Sequence, residues 1–280
     1  MDGLVALAVL AASLLHASWH ALIKSSGDQL SSLAGMNLVA GAVALTALPF
    51  VSLPAPGVFA IIAGSVLLHA GYKIALAGLY GRADLGQAYP LARGLTPIMA
   101  TLLGLAVLRE LPGATTLSGI GLISLGIMAL FVEKTAKRLT PAVLIYAALV
   151  GSTVAAYSVI DAYGVRRHGD WLGFTVWLVS IDCAAFVGYA WIVRGRGMTS
   201  VWRADRLKTF GSGFLGLASF AVFMWALARA PVGAVSALRE TSVIFAAILG
   251  ALFLGEAATW RRYAAAAIVM LGVVVVSVAR

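Results

Sequence analysis

The chain is a succession of apolar blocks of about 20 residues, parted by short polar connectors. That is the length an α-helix needs to cross the hydrocarbon core of a bilayer. In lipid such a helix satisfies its own backbone N–H and C=O groups. Ten blocks fall near residues 3–23, 31–53, 57–80, 86–108, 114–132, 141–164, 171–193, 208–229, 233–254 and 259–278. The breaks carry turn-forming residues, as at Ser25-Ser26-Gly27-Asp28, Pro54-Ala55-Pro56-Gly57, Leu111-Pro112-Gly113, Thr140-Pro141 and Ala230-Pro231. The expectation is an all-α integral membrane fold of ten transmembrane helices. The longest connector, Arg194 to Lys208, is too short to fold alone. The N-terminus, Met1-Asp2-Gly3, lacks a basic leader, so the first block reads as a retained helix.

Composition agrees. Apolar residues make up 61% of the chain and charged residues 11%, against about a quarter charged in soluble domains. The net charge of +9 is no sign of nucleic acid, because no soluble domain exists to present a basic face. The bilayer is the expected partner. Cys183 is the only cysteine, which rules out a disulfide framework and thiol metal sites; no cofactor and no metal are expected. Twelve Lys and Arg residues lie in the odd-numbered connectors, among them Lys134, Lys137, Arg138, Arg194 and Arg203. Five lie on the side of the termini. By the positive-inside rule the richer face is cytoplasmic and both termini face outward.

The stretch 86–110 recurs at 233–256. At one offset of 146 residues, Arg93 matches Arg239, Gly104 matches Gly250, Leu108 matches Leu254 and Glu110 matches Glu256. Leu125-Gly126 falls on Leu271-Gly272. Residues 1–138 and 139–280 thus read as two repeats of five spans. Five is odd, so the second repeat enters the membrane inverted, the architecture of secondary transporters with a central cavity between halves.

Polar and aromatic stripes at helical spacing mark the faces expected to line that cavity. The first span offers His16, Trp19 and His20, the third His69, Tyr72 and Lys73. The fourth offers Tyr89, Arg93 and Thr96, the sixth Tyr157 and Asp161, the ninth Ser236, Arg239 and Glu240. Phe220, Phe223 and Trp225 come from the eighth, and Trp177 and Asp182 from the seventh. A charge at the depth of Arg93 or Arg239 costs about 2.5–3.5 kcal/mol, so it is kept only when paired, solvated or used. Tyr80, Trp171, Trp202 and Trp260 sit near span ends and are read as interface anchors. Glu110 and Glu256, at helix ends, are expected to hold a neighbouring helix terminus. Gly119, Gly121, Gly126 and Gly272 are expected to allow close helix packing.

Ten spans in two halves, Leu108-Arg109-Glu110 and Leu254-Gly255-Glu256, and the two Leu-Gly pairs resemble the EamA-like members of the drug/metabolite transporter superfamily. The aromatic-rich spans look most like its YddG-type exporters. The resemblance implies a bacterial inner-membrane exporter of amino acids, aromatic ones foremost, working by alternating access and not an enzyme. It also implies cytoplasmic termini, against the charge bias. In that reading Arg93 or Arg239 takes the substrate carboxylate, and Asp161 or Glu240 the ammonium. Trp19, Tyr72, Tyr89 and Tyr157 meet the ring or a cation, and His20, His69 and Trp225 complete the candidate site. One alternative is proton-coupled export of hydrophobic cations. Another is a membrane lipid-modifying enzyme, for which the scattered His16, His20, His69 and His168 supply no metal or paired-carboxylate motif.

Overall fold

A computed structural model describes residues 2–82, 85–129, 140–246, 248 and 259–279. Among these, the structure is helical, with no strand. Lys134, Lys137, Arg138, Gly250, Leu254, Gly255 and Glu256 lie outside the described residues, as does the side chain of Tyr89.

The helices begin where the sequence supplies acceptors for their orphan N–H groups. Asp2 accepts from Leu4 N and opens α1 (Gly3–Lys24). Asp28 accepts from Ser31 N and opens α2 (Gln29–Ala47). Thr140, with Pro141 at the first helical position, opens α6 (Pro141–His168). Asp170 opens α7 (Trp171–Arg194) and Asp205 opens α9 (Arg206–Leu227). Pro56 starts α3 (Pro56–Tyr80), where a missing N–H costs nothing. Gly169, at φ +82°, closes α6 in the left-handed conformation that a Cβ disfavours. The remaining elements are α4 (Leu85–Leu108), α5 (Ala114–Ala129), the short α8 (Gly197–Ala204), α10 (Val232–Arg239) and α11 (Trp260–Val278).

Six described helices, α1, α2 with its 3-10 extension, α3, α6, α7 and α9, are long and apolar enough to cross a membrane. Shorter apolar helices cover Ala92–Leu108, Ala114–Ala129 and Tyr263–Val278. Large apolar side chains such as Phe50, Ile192 and Leu207 are more than 80% exposed, which suits a surface meeting lipid.

Three boundaries differ from the sequence reading. α2 gives way to a 3-10 turn over Leu48–Phe50 because Pro49 has no N–H to continue the ladder. α6 runs on to His168, its last turn carrying Arg166 and Arg167 where the helix dipole favours cations. The ninth span breaks: α10 stops at Arg239, and a turn at Glu240 and Thr241 precedes the helical residues 242–246. Bonds from Thr241 N to Leu238 O and from Val243 N to Glu240 O tighten the chain there to i→i−3 spacing.

Packing sets these elements around a central space. α1 lies against α9, α2 against α7, and α6 against both α3 and α4, while α5 and α11 form a pair of their own. That last pair is as close as its glycines allow. A Cβ on Gly126 would stand 3.0 Å from Ala265 O and 2.6 Å from Val269 Cγ2; one on Gly119 would stand 3.0 Å from Gly272 O. The small residues there serve close packing.

Candidate functional site

A cavity of about 100 Å³ lies between α1, α2, α3, α6, α7, α9 and α10. Helical spacing explains its lining. On α3, His69, Tyr72 and Lys73 are one turn apart and face it together; on α9, Phe220 and Phe223 do the same. Trp225 follows Phe223 by two residues, a rotation of about 200°. It packs among apolar side chains instead and carries the Arg229 guanidinium 4.6 Å from its ring centroid.

The candidate residues fall into three groups. Trp19, His69, Tyr72, Tyr157 and Arg239 line the cavity. His20, Arg93, Asp161 and Glu240 are buried and do not line it. Trp225 is apart.

Arg93 and Glu240 form the buried centre behind the cavity, both 0% exposed. Arg93 Nη1 donates to Glu240 Oε1 at 3.0 Å, and Nη2 to Tyr72 Oη at 3.4 Å. Two histidines extend this network. Trp19 Nε1 donates to His16 Nδ1 at 3.2 Å. His16 Nε2 lies 3.0 Å from His20 Nε2 and 3.1 Å from Arg93 Nη2, and His20 Nδ1 lies 2.5 Å from Tyr80 Oη. His20 Nε2 is also 3.4 Å from Arg93 Nη2. Tyr80, the half-buried last residue of α3, is thus linked to the buried histidines. Pro97, four residues after Arg93 within α4, has no N–H to offer the Arg93 carbonyl.

Arg239 is held differently. Its Nη1 donates to Tyr157 Oη at 3.4 Å, its Nη2 is 3.5 Å from Glu240 Oε1, and its guanidinium carbon lies 4.1 Å from the Phe223 ring centroid. Nε and Nη2 are buried and have no hydrogen-bond acceptor among the described residues. Buried guanidinium donors without acceptors are costly, and these sit on a side chain that reaches the cavity wall.

Asp161 is satisfied from within the protein. Ser65 Oγ donates to Oδ1, and His69 Nε2 donates to Oδ2 at 3.0 Å. His69 in turn stacks on Tyr157 with ring centroids 4.0 Å apart. A third polar group was only partly signalled by the sequence. Lys73 Nζ pairs with Asp182 Oδ2 and donates to Asn37 Oδ1 at 2.7 Å. Lys73 and Asp182 stand out as charges inside apolar blocks, whereas Asn37 has no charge to mark it, and the Lys73–Asp182 pair spans 109 residues.

Glu110 holds the neighbouring helix start, as its position in the sequence suggested. Its Oε2 accepts from Val232 N at 2.7 Å, the first N–H of α10. Its Oε1 accepts from Arg166, whose Nε and Nη2 also donate to Leu227 O and Ala230 O, each at 2.8 Å. The turn between α9 and α10, and so the placement of Arg239, is pinned by these contacts. Arg109 pays for this geometry with a φ of +56°, in the left-handed region.

A solved crystal structure, described only as that of a protein, superposes with a TM-score of 0.73 at 18% identity, covering 97% of this chain and 94% of its own. At that identity the likeness shows a shared fold. No curated protein matches the sequence significantly. Residues 141–278 match the EamA-like transporter family. That stretch of this multi-pass membrane protein, α6 to α11, is thus similar to the EamA-like transporters.

Proposed function

We propose that the chain is a transporter of small solutes that exports amino acids, aromatic ones foremost, across the bacterial inner membrane by alternating access. Its ten spans form two inverted five-helix halves, residues 1–138 and 139–280, around the cavity. The observation that carries the reading is Arg239. A guanidinium set against Tyr157 and Phe223, with Nε and Nη2 unbonded beside a cavity, suits a substrate carboxylate. Trp19, Tyr72 and Tyr157 give that cavity aromatic walls for a ring or an ammonium. Arg93 is the weaker candidate for the carboxylate, because Glu240 and Tyr72 already engage it. The break in the chain after Arg239 adds support, since transporter sites favour interrupted helices.

The experiment is counterflow in liposomes containing the purified protein, preloaded with unlabelled amino acids and supplied with labelled phenylalanine. Uptake above protein-free liposomes is expected. Its absence for all twenty amino acids contradicts the reading.

A second reading, proton-coupled export of hydrophobic cations, draws on the buried Asp161–His69 pair. It requires that transport of a lipophilic cation follow an imposed pH gradient and that Asp161→Asn abolish the dependence. Gradient-independent transport excludes it.

A further inference from the structure

The cavity has a second polar end. Lys73 contributes its charge there, but that charge is already committed to Asp182 Oδ2 and Asn37 Oδ1, and its Nζ stands 4.8 Å from the Phe186 ring centroid. Asp182 is not so fully engaged. It is 8% exposed, lines the cavity, and its Oδ1 is buried with no hydrogen-bond donor among the described residues. The nearby Cys183 thiol donates toward Asn37 Oδ1 at 3.5 Å and leaves that oxygen alone. An ionised carboxylate accepts at both oxygens, and a buried one left half-satisfied is unfavourable. Two residues that line the cavity therefore carry incomplete polar groups, donors at Arg239 and an acceptor at Asp182.

These two groups do not adjoin. Arg239 meets Tyr157, and the Tyr157 ring stacks on His69. Lys73 follows His69 by one turn of α3, about 5.4 Å along the axis, and Asp182 lies at the Lys73 ammonium. A ring stack and a helical turn thus separate the Asp182 carboxylate from the guanidinium. That spacing suits the two ends of an aromatic amino acid better than the two charges of its head.

We infer that Asp182 Oδ1 is a side-chain subsite, accepting a hydrogen bond from a hydroxyl, amine or ring N–H at the tip of an aromatic amino acid whose carboxylate rests on Arg239. This rests on the amino-acid reading above and goes further, because it sets a preference among aromatic substrates. A site that offers a buried acceptor discriminates strongly against an analogue with nothing to donate.

The test uses the full chain in liposomes and four phenylalanines substituted at the para position, each competing with labelled phenylalanine in counterflow. The hydroxyl compound, which is tyrosine, and the amino compound carry donors; the methyl and methoxy compounds do not. The donors are expected to compete at about tenfold lower concentration, equivalent to about 1.4 kcal/mol. In Asp182→Asn the amide oxygen is expected to face the Lys73 ammonium and leave an NH2 donor in place of Oδ1, so the four should compete at similar concentrations. If they compete equally in the unmodified protein, the subsite is overturned while the amino-acid reading stands. If phenylalanine counterflow is absent altogether, both fall. The comparison in the unmodified protein decides the matter even if Asp182→Asn does not fold.

Discussion

Arg93 and Arg239 occupy matching places in two related stretches, 146 residues apart, and the structure treats them unlike each other. Arg93 is 0% exposed and is surrounded by Glu240, His16, His20 and Tyr72. Arg239 reaches the cavity, with Tyr157 and Phe223 against it and Glu240 at 3.5 Å. Glu240 stands between them and, among the described residues, accepts a hydrogen bond from Arg93 alone. Its Oε2 has no donor among the described residues, and Oε1 is shared unequally between the two guanidiniums, hydrogen-bonded to Arg93 and 3.5 Å from Arg239, which faces the cavity. Insertion cost alone marks both arginines as needing a reason. For Arg93 the reason is internal pairing, and for Arg239 we propose a ligand.

The largest effect that separates the two is on stability. Arg93→Met leaves Glu240 buried with Arg239 at 3.5 Å and no hydrogen bond from it, and breaking a buried pair from one side costs about 3–5 kcal/mol. Loss of a monodisperse product, or a marked drop in thermal midpoint in detergent, is expected. A midpoint unchanged from the parent protein would show that Arg93 is not the structural member.

Glu110→Gln sharpens the comparison by loosening α10, the helix that carries Arg239, while leaving Arg93 untouched. It weakens charge-assisted hydrogen bonds from Val232 N and Arg166. A loss of about 1.5–3 kcal/mol is expected from such bonds, with transport falling by more than stability explains. Unchanged thermal midpoint and transport would mean that α10 is held by packing alone.

Gly126→Val is a control away from the cavity. The added side chain meets Val269 and the Ala265 carbonyl across the α5–α11 contact, and overpacking of this kind costs about 1–3 kcal/mol. The thermal midpoint should fall while the substrate affinity of the surviving protein stays as it was. A change in affinity without one in stability would link this contact to the site.

The smallest effect is at the rim, in acid. Burial pushes the Asp28 carboxyl up, but bonds from Ser31 and Arg194 outweigh it and hold the group below the usual carboxylate range. A lowered folded-state value means that its contribution is present above the unfolded value and is lost as pH falls through the folded one. Stability should therefore carry a small acid-side dependence below about pH 4. Asp28→Asn, which can still cap α2, removes that dependence at a cost under about 1 kcal/mol at neutral pH. An identical acid profile in the variant would assign it to other carboxylates.

Helices and much of the cavity lining were legible in the sequence because hydropathy blocks and one-turn spacings are local signals. His69, Tyr72, Tyr157 and Arg239 follow from them. Other features depend on pairing between distant elements. The acceptors for Lys73 come from α2 and α7, and nothing near Lys73 announces them. Tyr80 ends a span, and nothing near it in sequence announces its hydrogen bond to His20. Trp225 is expected on the same helical stripe as Phe220 and Phe223, but two residues of helix turn it away. The break at Glu240 has no proline or glycine to mark it. It coincides with the meeting of Arg93, Arg239 and Glu240, which only the folded chain brings together.

The most direct test of the difference between the two arginines is Arg239→Ala, measured for amino-acid counterflow and thermal midpoint in one preparation. The protein is expected to stay folded, because Arg93 keeps its hydrogen bond to Glu240 Oε1, while counterflow falls to that of protein-free liposomes. Normal counterflow in a stable Arg239→Ala protein would contradict it.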